Sequence, residues 1–240
     1  MAPNMIVAFG AQENSYFIAA GGQTFSAHLP SGMKQKLDGQ INTPIIFASM
    51  SSSGQWYVSG KDRANSNTAN HAYWHHGDLT VLDHWLKGNV SNRINSIGVT
   101  FGHGKAYSWF SRGANGTSGS TYHNLAKNQL AWVKKMEENH GSSFRMFLGS
   151  GETTVMVYDN GILCWHACGT KLANTLACAK DKNYKIRFLS LSPSHNDRFF
   201  IQFENGEIVW YVSVEMQKHL IDYARNKGIP RLKAETLEQL

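Results

Sequence analysis

Apolar residues along this 240-residue chain arrive in short runs broken by polar or glycine-bearing stretches, and the order of runs repeats five times. The first run of each unit is MIVAF (5–9), TPIIF (43–47), INSIGVTF (94–101), FRMFL (144–148) and IRFLSL (186–191). A second follows as SYFIA (15–19), QWYVS (55–59), AYSWF (106–110), TVMVY (154–158) and RFFIQF (198–203). The third is TFSAHL (24–29), AYWHH (72–76), TYHNL (121–125), ILCWHA (162–167) and IVWYV (208–212). Runs this short between turn residues predict strands, and the pairs Asn160-Gly161 and Asn205-Gly206 are tight hairpin signals. Aligned on Phe25, Tyr73, Tyr122, Trp165 and Trp210, the units recur every 43–49 residues, and these aromatics are expected to share one register and one environment.

After each third run the period changes from two to about 3.6. Leu130, Val133 and Met136 fall on one face of AKNQLAWVKKMEE, with Lys134, Lys135 and Glu138 turned away. Met33 and Leu37, Leu79, Leu82 and Leu86, Leu172 and Leu176, and Met216, Leu220 and Tyr223 repeat the pattern, with Ser213 placed to cap the last helix. Each unit therefore reads as three antiparallel strands and a short helix, in a mainly β chain.

Such a unit cannot bury its apolar faces alone, so the copies must pack on one another. A closed ring of five blades is expected in preference to an open stack, because neither end carries a polar capping unit. An α+β domain with fortuitous spacing is the alternative. In the ring, each helix would shield the outer edge of its own blade. Residues 5–226 resemble the blade repeats of β-propellers, which implies a propeller-like ring. The Trp-Asp pair and Gly-His opener of WD repeats and the double glycine of kelch repeats are missing, so no particular family is identified. The expected domain is 1–228, with 229–240 as a C-terminal tail.

Composition supports many short strands: 12% of residues are aromatic, 22 are Gly and 5 are Pro. The net charge of +6 is spread along the chain, which argues against a nucleic-acid partner. There is no apolar stretch of membrane-spanning length and no signal-peptide pattern at MAPNMIVAFGAQE, so a soluble cytoplasmic protein is expected. Cys164, Cys168 and Cys178 read as reduced thiols, and their spacing with His166 makes a poor zinc signature. No cofactor or metal is expected. The patterns Asn89-Val90-Ser91 and Asn115-Gly116-Thr117 fit the glycosylation motif and are expected to stay unmodified inside a cell.

Departures from the repeat locate the candidate chemistry. The turn between second and third strands swells to Lys61–His71 in unit two and Ser111–Ser120 in unit three, and equivalent turns of adjacent units should be neighbours. Arg63, Asn65, Asn67, Asn70 and His71 in the first loop, with Arg112, Asn115, Thr117 and Ser118 in the second, supply directional donors and acceptors. Tyr73, Trp74 and Trp109 flank them and offer stacking surfaces. Paired hydrogen-bonding groups beside aromatic rings suit a sugar, so a non-enzymatic, lectin-like carbohydrate-binding module is expected. A protein-interaction scaffold and a small-molecule enzyme with an axial pocket are the alternatives. His75 and His76 should face opposite sides of their strand, a poor chelating pair. LGSGET (148–153) precedes a strand and reads as a turn, and Ser194, His195 and Asp197 lie too close along one turn for a catalytic triad.

Overall fold

The computed structural model describes residues 5–20, 23–39, 41–62, 71–89, 94–113 and 118–227. Unit one contains β1 (Met5–Phe9), β2 (Tyr16–Ala20), β3 (Gln23–Ala27) and α1 (Ser31–Gly39). Unit two contains β4 (Ile41–Met50), β5 (Trp56–Asp62), β6 (His71–His76) and α2 (Thr80–Asn89). Unit three contains β7 (Ile94–Phe101), β8 (Tyr107–Gly113), β9 (Ser118–His123) and α3 (Lys127–His140). Unit four contains β10 (Phe144–Leu148), β11 (Thr154–Tyr158), β12 (Leu163–His166) and α4 (Thr170–Asp181). Unit five contains β13 (Ile186–Leu191), β14 (Phe199–Phe203), β15 (Ile208–Tyr211) and α5 (Val214–Lys227). Each unit forms one antiparallel three-stranded sheet in chain order, so the repeat read from the sequence is present.

The ladders give the true equivalence between units. The row nearest the first turn is Phe9–Tyr16–Ala27 in unit one, Met50–Trp56–His76 in unit two and Phe101–Tyr107–His123 in unit three. It is Leu148–Thr154–His166 in unit four and Leu191–Phe199–Tyr211 in unit five. By this measure the aromatic alignment is corrected. Tyr122, Trp165 and Trp210 are true equivalents one residue before that row, Tyr73 lies two residues further back on the same face, and Phe25 is on the opposite face.

Two local devices recur. The residue after the first strand is small (Gly10, Ser51, Gly102, Gly149, Ser192), and its N–H donates across the turn at 2.7–3.0 Å. A Cβ on Gly10 would collide with the Ser15 side chain, and one on Gly149 would lie 3.1 Å from the Leu191 Cβ. After the third strand, units one to four turn toward the helix through a left-handed residue: His28 (φ 49°), Gly77 (113°), Asn124 (56°) and Ala167 (50°). One such residue redirects the chain where a longer loop would otherwise be needed.

The expected propeller-like ring is not formed. Each sheet is open, with two edge strands, and no ladder among the described residues joins one sheet to another. The likeness to propeller repeats holds for strand order within a unit and not for the assembly. Side chains occupy the edges that such a ladder would need. Thr100 Oγ1 donates to Met146 O at 3.1 Å and accepts from Leu148 N at 3.3 Å. Ser120 Oγ donates to Phe144 O at 2.9 Å and accepts from Met146 N at 3.2 Å, so four backbone groups on the open edge of β10 are bonded by two hydroxyls. First strands instead meet by packing: β1 beside β4 and β13, β4 beside β7, and β10 beside β7 and β13.

The helices bridge to the following unit, and α4 also lies against the outer strand β12 of its own unit. Trp85 of α2 lies 6.1 Å from Trp109 of β8, and Trp132 of α3 stacks on His166 of β12 at 5.2 Å. Gln129 of α3 is buried, donating to Thr154 Oγ1 at 2.7 Å while its Oε1 accepts from Ala126 N at 3.3 Å. Asp197, in the first turn of unit five, accepts from Lys171 N at 2.8 Å and so caps α4. His219 of α5 stacks on Phe25 of β3 at 5.2 Å, which brings the last unit against the first. Glu13 and Arg198 make an ion pair across the same junction.

Candidate functional site

Phe9, Met50, Phe101, Leu148 and Leu191 end the five first strands, and all line one narrow cleft of about 20 Å³. The first strands therefore run to a common point, and the paired ends of the second and third strands farthest from the first turns lie on the opposite rim. On that rim, units two and three carry the longest ladders. Pairing of second with third strand runs over six residue pairs in each, from Trp56↔His76 to Lys61↔His71 and from Tyr107↔His123 to Arg112↔Ser118. Units four and five stop after four pairs, at Val157↔Leu163 and Gln202↔Ile208. The two expanded loops thus leave from extended, paired strand ends.

Arg63, Asn65, Asn67, Asn70, Asn115 and Thr117 lie outside the described residues. His71, Arg112 and Ser118 are placed by backbone alone, at the tips of these ladders. Tyr73 and Trp74 are half-buried and pack on the core from β6. Trp109 is 2% exposed, parallel to His123 at 5.2 Å and stacked on Tyr107 at 5.9 Å. Its ring joins α2 to unit three and is covered by neighbours on both sides.

A second feature of the same rim lies between units four and five. A cleft of about 80 Å³ is lined by Arg145 of β10, Asp159 and Gly161 of the β11–β12 turn, Lys185 and Arg187 at the start of β13, and Glu204 beyond β14. Arg145 holds the wall in place: its Nη1 and Nη2 donate to Arg187 O at 2.8 Å and Ile186 O at 2.7 Å. These carbonyls belong to a bulge, where the β13–β14 register shifts between Ile186 and Phe188. Asp159 accepts from Ser143 Oγ at 2.7 Å. Sequence reading missed this cleft because its lining comes from four separated segments. The available signal was Arg145 itself, which stands in a buried strand where the equivalent residues of other units are Ile6, Phe47, Gly98 and Phe188.

The cleft at the ends of the first strands offers hydroxyls from Ser49, Thr100 and Ser190 among apolar side chains, with no ionisable group among its described lining. His75 and His76 do face opposite ways: His75 Nε2 is 3.5 Å from Asp83 Oδ1, and the exposed His76 stacks on Trp56. Among the described residues no three His, Cys, Asp or Glu side chains converge as a metal site would require. No disulfide joins Cys164, Cys168 and Cys178, and burial pushes the Cys168 thiol up to about 12. No helix among the described residues is long and apolar enough to cross a membrane. No family model, curated protein or solved structure matches this chain.

Proposed function

We propose that the protein is a non-enzymatic recognition module that binds a polar ligand, carbohydrate being the leading class, on the rim carrying the two expanded loops. The observation that supports it is the six-pair ladder under each of those loops, in units whose first strands pack side by side. Loops without a task gain nothing from extended, paired bases, whereas binding groups gain from a rigid support. Asn67 and Asn115 then act as paired donors and acceptors for vicinal hydroxyls.

A broad glycan-binding screen followed by Asn67→Ala and Asn115→Ala tests this. The expected result is one bound glycan class whose affinity falls about tenfold in either variant, the worth of one well-placed polar contact. Absence of any bound glycan, or unchanged affinity in both variants, would overturn it. A protein-interaction scaffold is the second reading, favoured by Tyr211 and Val214, which are 45% and 87% exposed three residues apart at the β15–α5 junction. It requires that Val214→Asp weaken a purified protein partner and leave glycan binding untouched.

A further inference from the structure

We propose that the cleft between units four and five is a binding site for an oxyanion, a phosphate, sulfate or carboxylate group, carried by a hydroxylated ligand. Three cationic side chains (Arg145, Lys185 and Arg187) and two carboxylates (Asp159 and Glu204) line it. A space of about 80 Å³ admits a few waters or one oxyanion with its first neighbours.

The cleft is preorganised. Arg145 is fastened by two bonds to backbone carbonyls, so its guanidinium is held before any ligand arrives. The bulge that supplies those carbonyls has Arg187 as its extra residue, and bulges commonly re-aim a side chain at sheet edges and sites. The backbone at Lys185 and Asp159 is set by the bonds Glu204 N to Lys185 O at 2.9 Å and Asp159 N to Ser143 O at 3.1 Å, and the Asp159 carboxylate by Ser143 Oγ at 2.7 Å. With both Arg145 Nη atoms bonded to carbonyls, Arg145 supplies fixed positive charge and the Arg187 fork matches the geometry of an oxyanion, which favours this ligand over a neutral one. The carboxylates repel a second anionic group but accept hydrogen bonds from hydroxyls next to the first. Calling the hydroxylated part a sugar rests on the carbohydrate reading above, and the oxyanion part does not.

The test is a titration of the full chain with inorganic phosphate, glucose 6-phosphate and glucose at constant ionic strength, followed by backbone amide NMR shifts. The expected result is saturable shifts at Gly161, Lys185, Ile186 and Arg187 with both phosphates, and affinity about tenfold higher for the sugar phosphate. Arg187→Gln should weaken phosphate binding about tenfold, and Lys185→Gln, at an exposed position where folding is safe, about threefold. Non-saturating shifts, or phosphate affinity unchanged in both variants, would overturn the site. Equal affinity for the two phosphates would overturn the hydroxyl-accepting role of Asp159 and Glu204. Asn67→Ala should leave this titration unchanged, so failure here and failure of the loop site are told apart.

Discussion

Ala167 shows how much one backbone angle carries. It holds φ 50° where unit two uses Gly77, and its carbonyl accepts from Thr153 Oγ1 at 2.9 Å, so the strained residue is fixed by its surroundings. A left-handed alanine costs about 1–2 kcal/mol, and glycine's extra chain entropy offsets about half of that. Ala167→Gly should therefore raise stability by about 0.5–1 kcal/mol, read as a higher urea midpoint with unchanged slope. Gly169 is the opposite case: an added Cβ would collide with the Asp197 carboxylate that caps α4. Gly169→Ala should cost about 1 kcal/mol, the worth of a helix cap, and a gain in stability would refute that capping role. Neither effect was legible in the sequence. Alanine does not announce a positive φ, and Asp197 reaches α4 from the next unit. Ser213 was legible only in part, for it stands at the start of α5 where a cap belongs, yet its hydroxyl has no partner.

The elements themselves were largely readable because apolar spacing alone fixes them: the fifteen strands and five helices among the described residues correspond to runs found by period. What the helices touch was not. In α3 the sequence pattern points Leu130, Val133 and Met136 inward, whereas the buried pair is Gln129 and Val133. A polar residue is buried there because its amide finds Thr154 of the next unit, a partner that helical periodicity cannot reveal. The joint between α2 and unit three carries a pH signature. Burial holds the His123 imidazole below its usual 6.5. Above that value the ring is neutral in folded and unfolded chains alike; as pH falls below it, the unfolded chain takes up the proton first and stability is lost. His123→Phe, which keeps the stack on Trp109, should make the urea midpoint less dependent on pH below about 6.5. At the joint between units four and five, Arg145→Met should cost about 2 kcal/mol, since two charge-assisted bonds to the β13 bulge are lost. A cost near zero would mean that the bulge stands without it.

At the scale of the molecule, five units could be counted from the sequence but their manner of joining could not. Joining by hydroxyls of Thr100 and Ser120, by the Arg145 guanidinium and by helices reaching forward depends on pairs in different units, 24 or more residues apart. Serine and threonine inside a strand run look like ordinary surface positions. The same dispersion hid the oxyanion cleft, while the expanded loops were visible at once as breaks in the repeat. Side chains, and not a continuous ladder, bring the fifth unit against the first through α5. The most direct measurement is a nuclear Overhauser experiment between the rings of His219 and Phe25, whose centroids lie 5.2 Å apart. Cross-peaks are expected between these two rings, and between His219 and Tyr16, whose ring centroids are 6.1 Å apart. Cross-peaks from His219 confined to its own unit, with none to either ring of unit one, would contradict that joining.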